Sequence, residues 1–71
     1  MKITRRRRHL RPRPSRAQLR QQISRLRRQI QFFRLEWLLE AAREDRNPLR
    51  LRLLHDGIVA HQDAVDALEA Y

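Results

Sequence analysis

The sequence has no cysteine, one glycine and three prolines among its 71 residues. Without cysteine the chain forms no disulfide and no thiolate metal site. Its three histidines lack the i, i+4 spacing of a helical ligand pair, so we expect no metal and no other cofactor. A domain this short is marginally stable by itself and usually depends on disulfides, a metal or a partner chain. The sequence therefore predicts a homodimer or a higher oligomer.

Strand-forming residues and long apolar runs are also scarce. Leu, Arg, Ala, Gln and Glu dominate the composition, and all are good helix formers, so we expect an all-α fold. No apolar run approaches the ~20 residues that cross a bilayer, and no apolar segment follows the basic start of the chain. We therefore expect no transmembrane segment, no secretion, and a cytoplasmic or nuclear location.

Acidic residues are missing from positions 1–35, which hold thirteen of the seventeen Arg and Lys residues. Positions 36–71 hold four arginines against eight acids. Positive charge gathered at one end attracts polyanions, most commonly nucleic acid. Arg outnumbers Lys sixteen to one, and a guanidinium group binds phosphate through paired hydrogen bonds and stacks on bases. The same excess would also arise from GC-rich codon usage.

Residues 1–14 form a basic arginine-rich arm with a cluster at Arg5–Arg8. The run Arg11-Pro12-Arg13-Pro14 cannot continue a helix, because proline lacks an N–H and pushes the preceding residue toward extended geometry. We expect the arm to be disordered when free and to contact nucleic acid. A nuclear-localisation signal and an acidic protein or membrane surface are the alternatives.

Residues 15–71 are predicted to form a helical hairpin. Ser15 and Gln18 match a capping box, and helix 1 is expected over about 16–46. Six apolar residues at spacings of 4, 3, 4, 3 and 4 form a heptad seam, which predicts the dimer interface: Leu19, Ile23, Leu26, Ile30, Phe33 and Trp37. A second apolar face on the same helix is expected to pack against helix 2: Phe32, Leu35, Leu38, Leu39 and Ala42.

Asn47 and Pro48 have the residue types of an N-cap and a first helical position, so helix 2 is expected over about 48–70. Its own seam consists of Leu51, Leu54, Ile58, His61, Val65 and Leu68. Gly57 predicts a local weakness in this helix. Two antiparallel hairpins joined along the seam of helix 1 would form a four-helix bundle.

The predicted nucleic-acid-binding residues are the basic side chains of the arm and of the first half of helix 1. They are Lys2, Arg5, Arg6, Arg7, Arg8, Arg11, Arg13, Arg16, Arg20, Arg27 and Arg28. The three aromatic residues of helix 1 are expected in the core, with base stacking as the alternative. No catalytic constellation is evident and a chain this small encloses little space, so we expect no enzymatic activity and no small-molecule substrate.

The sequence thus predicts a small, homodimeric RNA-binding protein, with DNA as the alternative ligand. In fold and charge it resembles small viral RNA binders such as the nodavirus silencing suppressors. That resemblance implies shielding of double-stranded RNA by shape rather than by base reading. Two rival hypotheses are an assembly protein whose arm condenses a genome or anchors in a ribonucleoprotein, and a helical adaptor whose arm is a nuclear-localisation signal.

Overall fold

A computed structural model describes residues 13–71 and shows two helices, α1 (Arg16–Ala41) and α2 (Pro48–Glu69), with no strand in that range. The predicted all-α hairpin is confirmed. The predicted disorder of the arm concerns residues 1–14, of which positions 1–12 lie outside the described residues.

Local side-chain bonds start both helices as the sequence predicts. The Ser15 hydroxyl oxygen accepts a hydrogen bond from the Gln18 N–H at 3.1 Å, and the Gln18 amide oxygen accepts one from the Ser15 N–H at 2.9 Å. The Asn47 side chain accepts hydrogen bonds from the first N–H groups of α2, at 2.9 Å from Leu49 and 3.3 Å from Arg50. These bonds satisfy backbone donors that have no partner within the helix.

Helix α1 ends at Ala41, not at the predicted Arg46. The reason is the width of the hairpin, since packed helix axes lie about 8–10 Å apart and a single residue spans at most about 3.6 Å. Residues 42–47 make that crossing. The Arg46 guanidinium satisfies carbonyls at the end of α1, donating to Arg43 at 3.1 Å and to Ala41 at 3.4 Å.

The heptad seam of α1 packs against α2 within one chain. The Phe33 and His61 rings meet edge to face with centroids 5.1 Å apart, and the helical Gly57 leaves room beside the Phe33 ring. Ile30 and Val65 are 5% and 0% exposed, and within residues 13–71 they are the two buried apolar residues. The core of a single hairpin is therefore very small.

The second apolar face of α1 is exposed, so the expectation that it packs on α2 is wrong. Phe32, Leu35, Leu38 and Leu39 have between 54% and 60% of their surface in solvent. The seam packs on α2 instead, because it runs the length of α1 and matches the heptad spacing of α2, whereas the second face covers about two turns. All six predicted dimer-interface residues are half-buried or buried within one chain. Dimerisation stays a prediction, and these residues have little surface left for a second chain.

Candidate nucleic-acid interface

The first half of α1 presents its arginines to solvent. Of the predicted nucleic-acid-binding residues, Arg13, Arg16, Arg20, Arg27 and Arg28 are described, and all five are exposed. The other six, Lys2, Arg5, Arg6, Arg7, Arg8 and Arg11, lie outside the described residues. Arg13 precedes α1, and the other four described residues lie on the first half of α1.

The start of α1 extends slightly beyond the end of α2. Arg27 contacts Glu69, the last residue of α2, with 2.6 Å between Nη2 and Oε2. Helix α1 has 26 residues and α2 has 22, so at about 1.5 Å per residue α1 is roughly 6 Å longer than α2. The first half of α1, residues 16–28, carries no acidic residue, so its exposed arginines carry their positive charge into solvent.

Among the predicted contacts that the structure describes, Arg27 is the one with an acidic partner. The Arg27 and Glu69 side chains are 62% and 46% exposed, so the pair stabilises the hairpin only weakly. The pairing still offsets the charge of Arg27 locally. Arg16 and Arg20 have no acidic partner among residues 13–71 and remain the stronger candidates on this flank of α1.

An open trough of about 640 Å³ runs along the outer face of this segment. It is lined by three small or polar side chains, Ala17, Gln21 and Ser24, and by three arginines, Arg20, Arg25 and Arg28. Arg25 was not among the predicted contacts. Short side chains at 17 and 24, one heptad apart and flanked by arginines, are the sequence signal for this trough.

Two of the four arginines at positions 36–71, Arg43 and Arg50, are paired with acids near the turn. Arg50 lies 3.1 Å from the Glu36 carboxylate and 3.3 Å from that of Glu40. Arg43 donates hydrogen bonds to Asp45 at 3.3 and 3.5 Å. These bonds and the nearby charge lower the pKa of Asp45, and the same contact raises the pKa of Arg43. Positive charge is thus partly offset around the turn, by Glu36, Glu40 and Asp45, whereas residues 13–35 contain no acid.

The aromatic residues divide between core and surface. Phe33 and Trp37 are half-buried on the seam, as expected for core residues, whereas Phe32 is 58% exposed. The Phe32 and Phe33 rings are tilted, with centroids 6.0 Å apart. Phe32 is therefore the aromatic side chain that faces solvent on α1.

Other kinds of site find no support in the part of the chain that the structure describes. Across positions 13–71, no three histidine or acidic side chains come close enough together to hold a metal ion. Neither α1 nor α2 is long and apolar enough to cross a membrane. No family model matches the chain, and no curated protein or solved structure matches it.

Proposed function

We propose that this protein binds nucleic acid, RNA before DNA, as a homodimer, through the basic arm and the first half of α1. The observation that carries the proposal is the separation of charge along the hairpin: residues 13–35 contain no acid, whereas acids near the turn pair with Arg43 and Arg50. The role we assign is to shield duplex RNA, as in the viral silencing suppressors that the chain resembles in fold and charge.

The charge of residues 13–35 supports a phosphate ligand. Residues 13–35 contain seven arginines and no acid, and Arg27 is the one that has an acidic partner among the described residues. A protein needing only solubility does not require charge of one sign gathered at one end. Release of counterions from a polyanion makes the same arrangement a source of affinity.

The helical setting supports a duplex over a single strand. Arginines from Arg16 to Arg28 are held on a rigid helix over about 18 Å, and the trough between them is shallow and polar. A duplex presents phosphates at fixed positions that a rigid row of guanidinium groups can match, whereas a flexible strand loses conformational entropy when it follows the row. Recognition by shape and backbone is the usual mode for double-stranded RNA.

The test is a binding panel of double-stranded and single-stranded RNA and DNA, measured by fluorescence anisotropy at several salt concentrations. The variant Arg20→Ala removes one exposed arginine from the trough. Arg52→Ala is its matched control, since Arg52 is exposed on α2 and has no acidic partner within residues 13–71. We expect Arg20→Ala to weaken binding and to reduce the slope of log K against log salt by about 0.7–0.9, and Arg52→Ala to change neither.

A triple variant measures the combined contribution of the three trough arginines to binding. Alanine at Arg20, Arg25 and Arg28 is expected to reduce the salt slope by about 2–3 and to remove a preference for duplex RNA, with helix content by circular dichroism unchanged. Equal losses from the trough and control variants would mean that net charge alone drives binding. Absence of binding in the parent protein would refute the proposal.

A further inference from the structure

The outer face of α1 changes character along its length. Between residues 17 and 28 it is polar and basic, and between residues 32 and 39 it carries Phe32, Leu35, Leu38 and Leu39, each more than half exposed. Phe32, Leu35 and Leu39 lie about 140–200° around the helix from the buried Ile30. We call these four side chains the outer apolar patch.

We propose that the outer apolar patch binds a second copy of this chain, with the two α1 helices crossing in opposite directions at Leu35. The inference deepens the homodimer of the proposed function by assigning its surface. It replaces the heptad seam as the interface, because α2 already packs on that seam. The two-fold axis would place Leu35 of each chain against its own copy.

The small core indicates what covers this patch. A hairpin with two buried apolar residues in its described part, Ile30 and Val65, has far less core than a stable domain of this size needs. The patch exposes roughly 400–500 Å² of apolar surface, at the upper end for a monomer. Two copies bring the apolar area close to the ~1,000 Å² of a specific interface. A second hairpin thus supplies the buried apolar surface that the single hairpin lacks.

Charge determines the direction of the crossing. A parallel arrangement would bring residues 13–28 of the two chains, with six arginines each and no acid, alongside one another. The opposite arrangement separates the centres of these basic segments by roughly 35–40 Å, at 1.5 Å per residue. Helices that cross at an angle also diverge away from Leu35, which leaves the trough around Arg20 open. Apolar contact and electrostatic repulsion therefore favour the same geometry.

The absence of cysteine allows a direct test in the full chain without RNA. Leu35→Cys should form an intermolecular disulfide rapidly under mild oxidation, because the two-fold axis brings position 35 against itself. Gln21→Cys is the matched control: it is exposed on the same face but about 21 Å from Leu35 along the helix. We expect cross-linking at 35 to be at least tenfold faster than at 21. Similarly rapid cross-linking at both positions would contradict the proposal that the two α1 helices run in opposite directions. Slow cross-linking at both positions would contradict the proposal that the outer apolar patch is the interface.

A second measurement is sedimentation of charged variants over a range of protein concentrations. Leu35→Glu should weaken self-association at least 100-fold, whereas Leu53→Glu, equally exposed but on α2, should change it by less than about threefold. A parent protein that sediments as a monomer, or that uses the patch to bind anionic vesicles, would overturn the proposal. RNA binding is measured separately in the binding panel, so failure of the proposed dimer interface can be distinguished from failure of the proposed RNA binding.

Discussion

Replacing Glu40 with alanine is expected to destabilise the hairpin more than any other removal of an acidic residue in the described part. The Glu40 side chain is 8% exposed, and its carboxylate accepts a hydrogen bond from the Asn47 N–H at 2.8 Å. It also lies 3.3 Å from the guanidinium of Arg50 and 3.9 Å from that of Arg43. One side chain thus connects the end of α1, the loop and the first turn of α2.

The expected loss in the free energy of unfolding follows from these contacts. A hydrogen bond to a charged group contributes about 1.5–3 kcal/mol, while each arginine is more than half exposed and adds little. We expect Glu40→Ala to lower the free energy of unfolding by about 2 kcal/mol, or roughly 8–16 °C in Tm for a domain of this size. Glu40→Gln keeps an acceptor for the Asn47 N–H, so its loss should be about half as large.

The assay is urea and thermal unfolding followed by circular dichroism at 222 nm. Protein concentration must be constant, because self-association contributes to the measured stability. Asp63→Ala is the control, since Asp63 is exposed on α2 and has no ion pair among residues 13–71. If Glu40→Ala and Asp63→Ala agree within about 0.5 kcal/mol, the assigned role of Glu40 in the turn is refuted.

Three further predictions concern the arm, α2 and the turn. Alanine at all of Arg5–Arg8 should flatten the salt dependence of binding by about 3–4 units of slope, and an unchanged slope would show that these residues do not contact phosphate. Gly57→Ala should stabilise the protein by about 0.5–1 kcal/mol, because its Cβ would lie 3.6 Å from the Phe33 ring, an ordinary contact; destabilisation would contradict that packing. The lowered pKa of Asp45 slightly favours the fold above the ordinary aspartate range, a small contribution because the Arg43 and Asp45 side chains are 59% and 79% exposed. This stability should be lost as the pH falls below about 4, and Asp45→Asn should remove that part of the acid sensitivity, as measured by unfolding between pH 2 and 7.

The elements that could be predicted from the sequence are those set by neighbouring residues. Ser15 with Gln18, and Asn47 with Pro48, start the helices through contacts within three residues. The seam could be predicted because a heptad repeat needs no knowledge of its partner. The end of α1 could not, because neither glycine nor proline marks it. It depends on Arg46 and on the bond between Glu40 and Asn47, which span five and seven residues.

The assignment of the two apolar faces of α1 could not be settled by pattern alone. A repeat shows that Ile30 and Leu35 lie on apolar faces, but not which one packs within the chain and which one is left exposed. The candidate site shows the same limit. Arg27 is indistinguishable from Arg28 in the sequence, and only the register of the hairpin pairs it with Glu69.

The most direct test of the central claim is an NMR titration of ¹⁵N-labelled protein with a duplex RNA of about 16 base pairs, the span of a double-stranded RNA-binding domain. The account predicts that the largest shifts fall on backbone amides of residues 16–28 and on the Nε–H signals of Arg20, Arg25 and Arg28. Signals of Arg43 and Arg50, which have acidic partners, should stay nearly unchanged. Shifts centred on residues 42–50, or no shifts at RNA concentrations that saturate the anisotropy signal, would contradict the account.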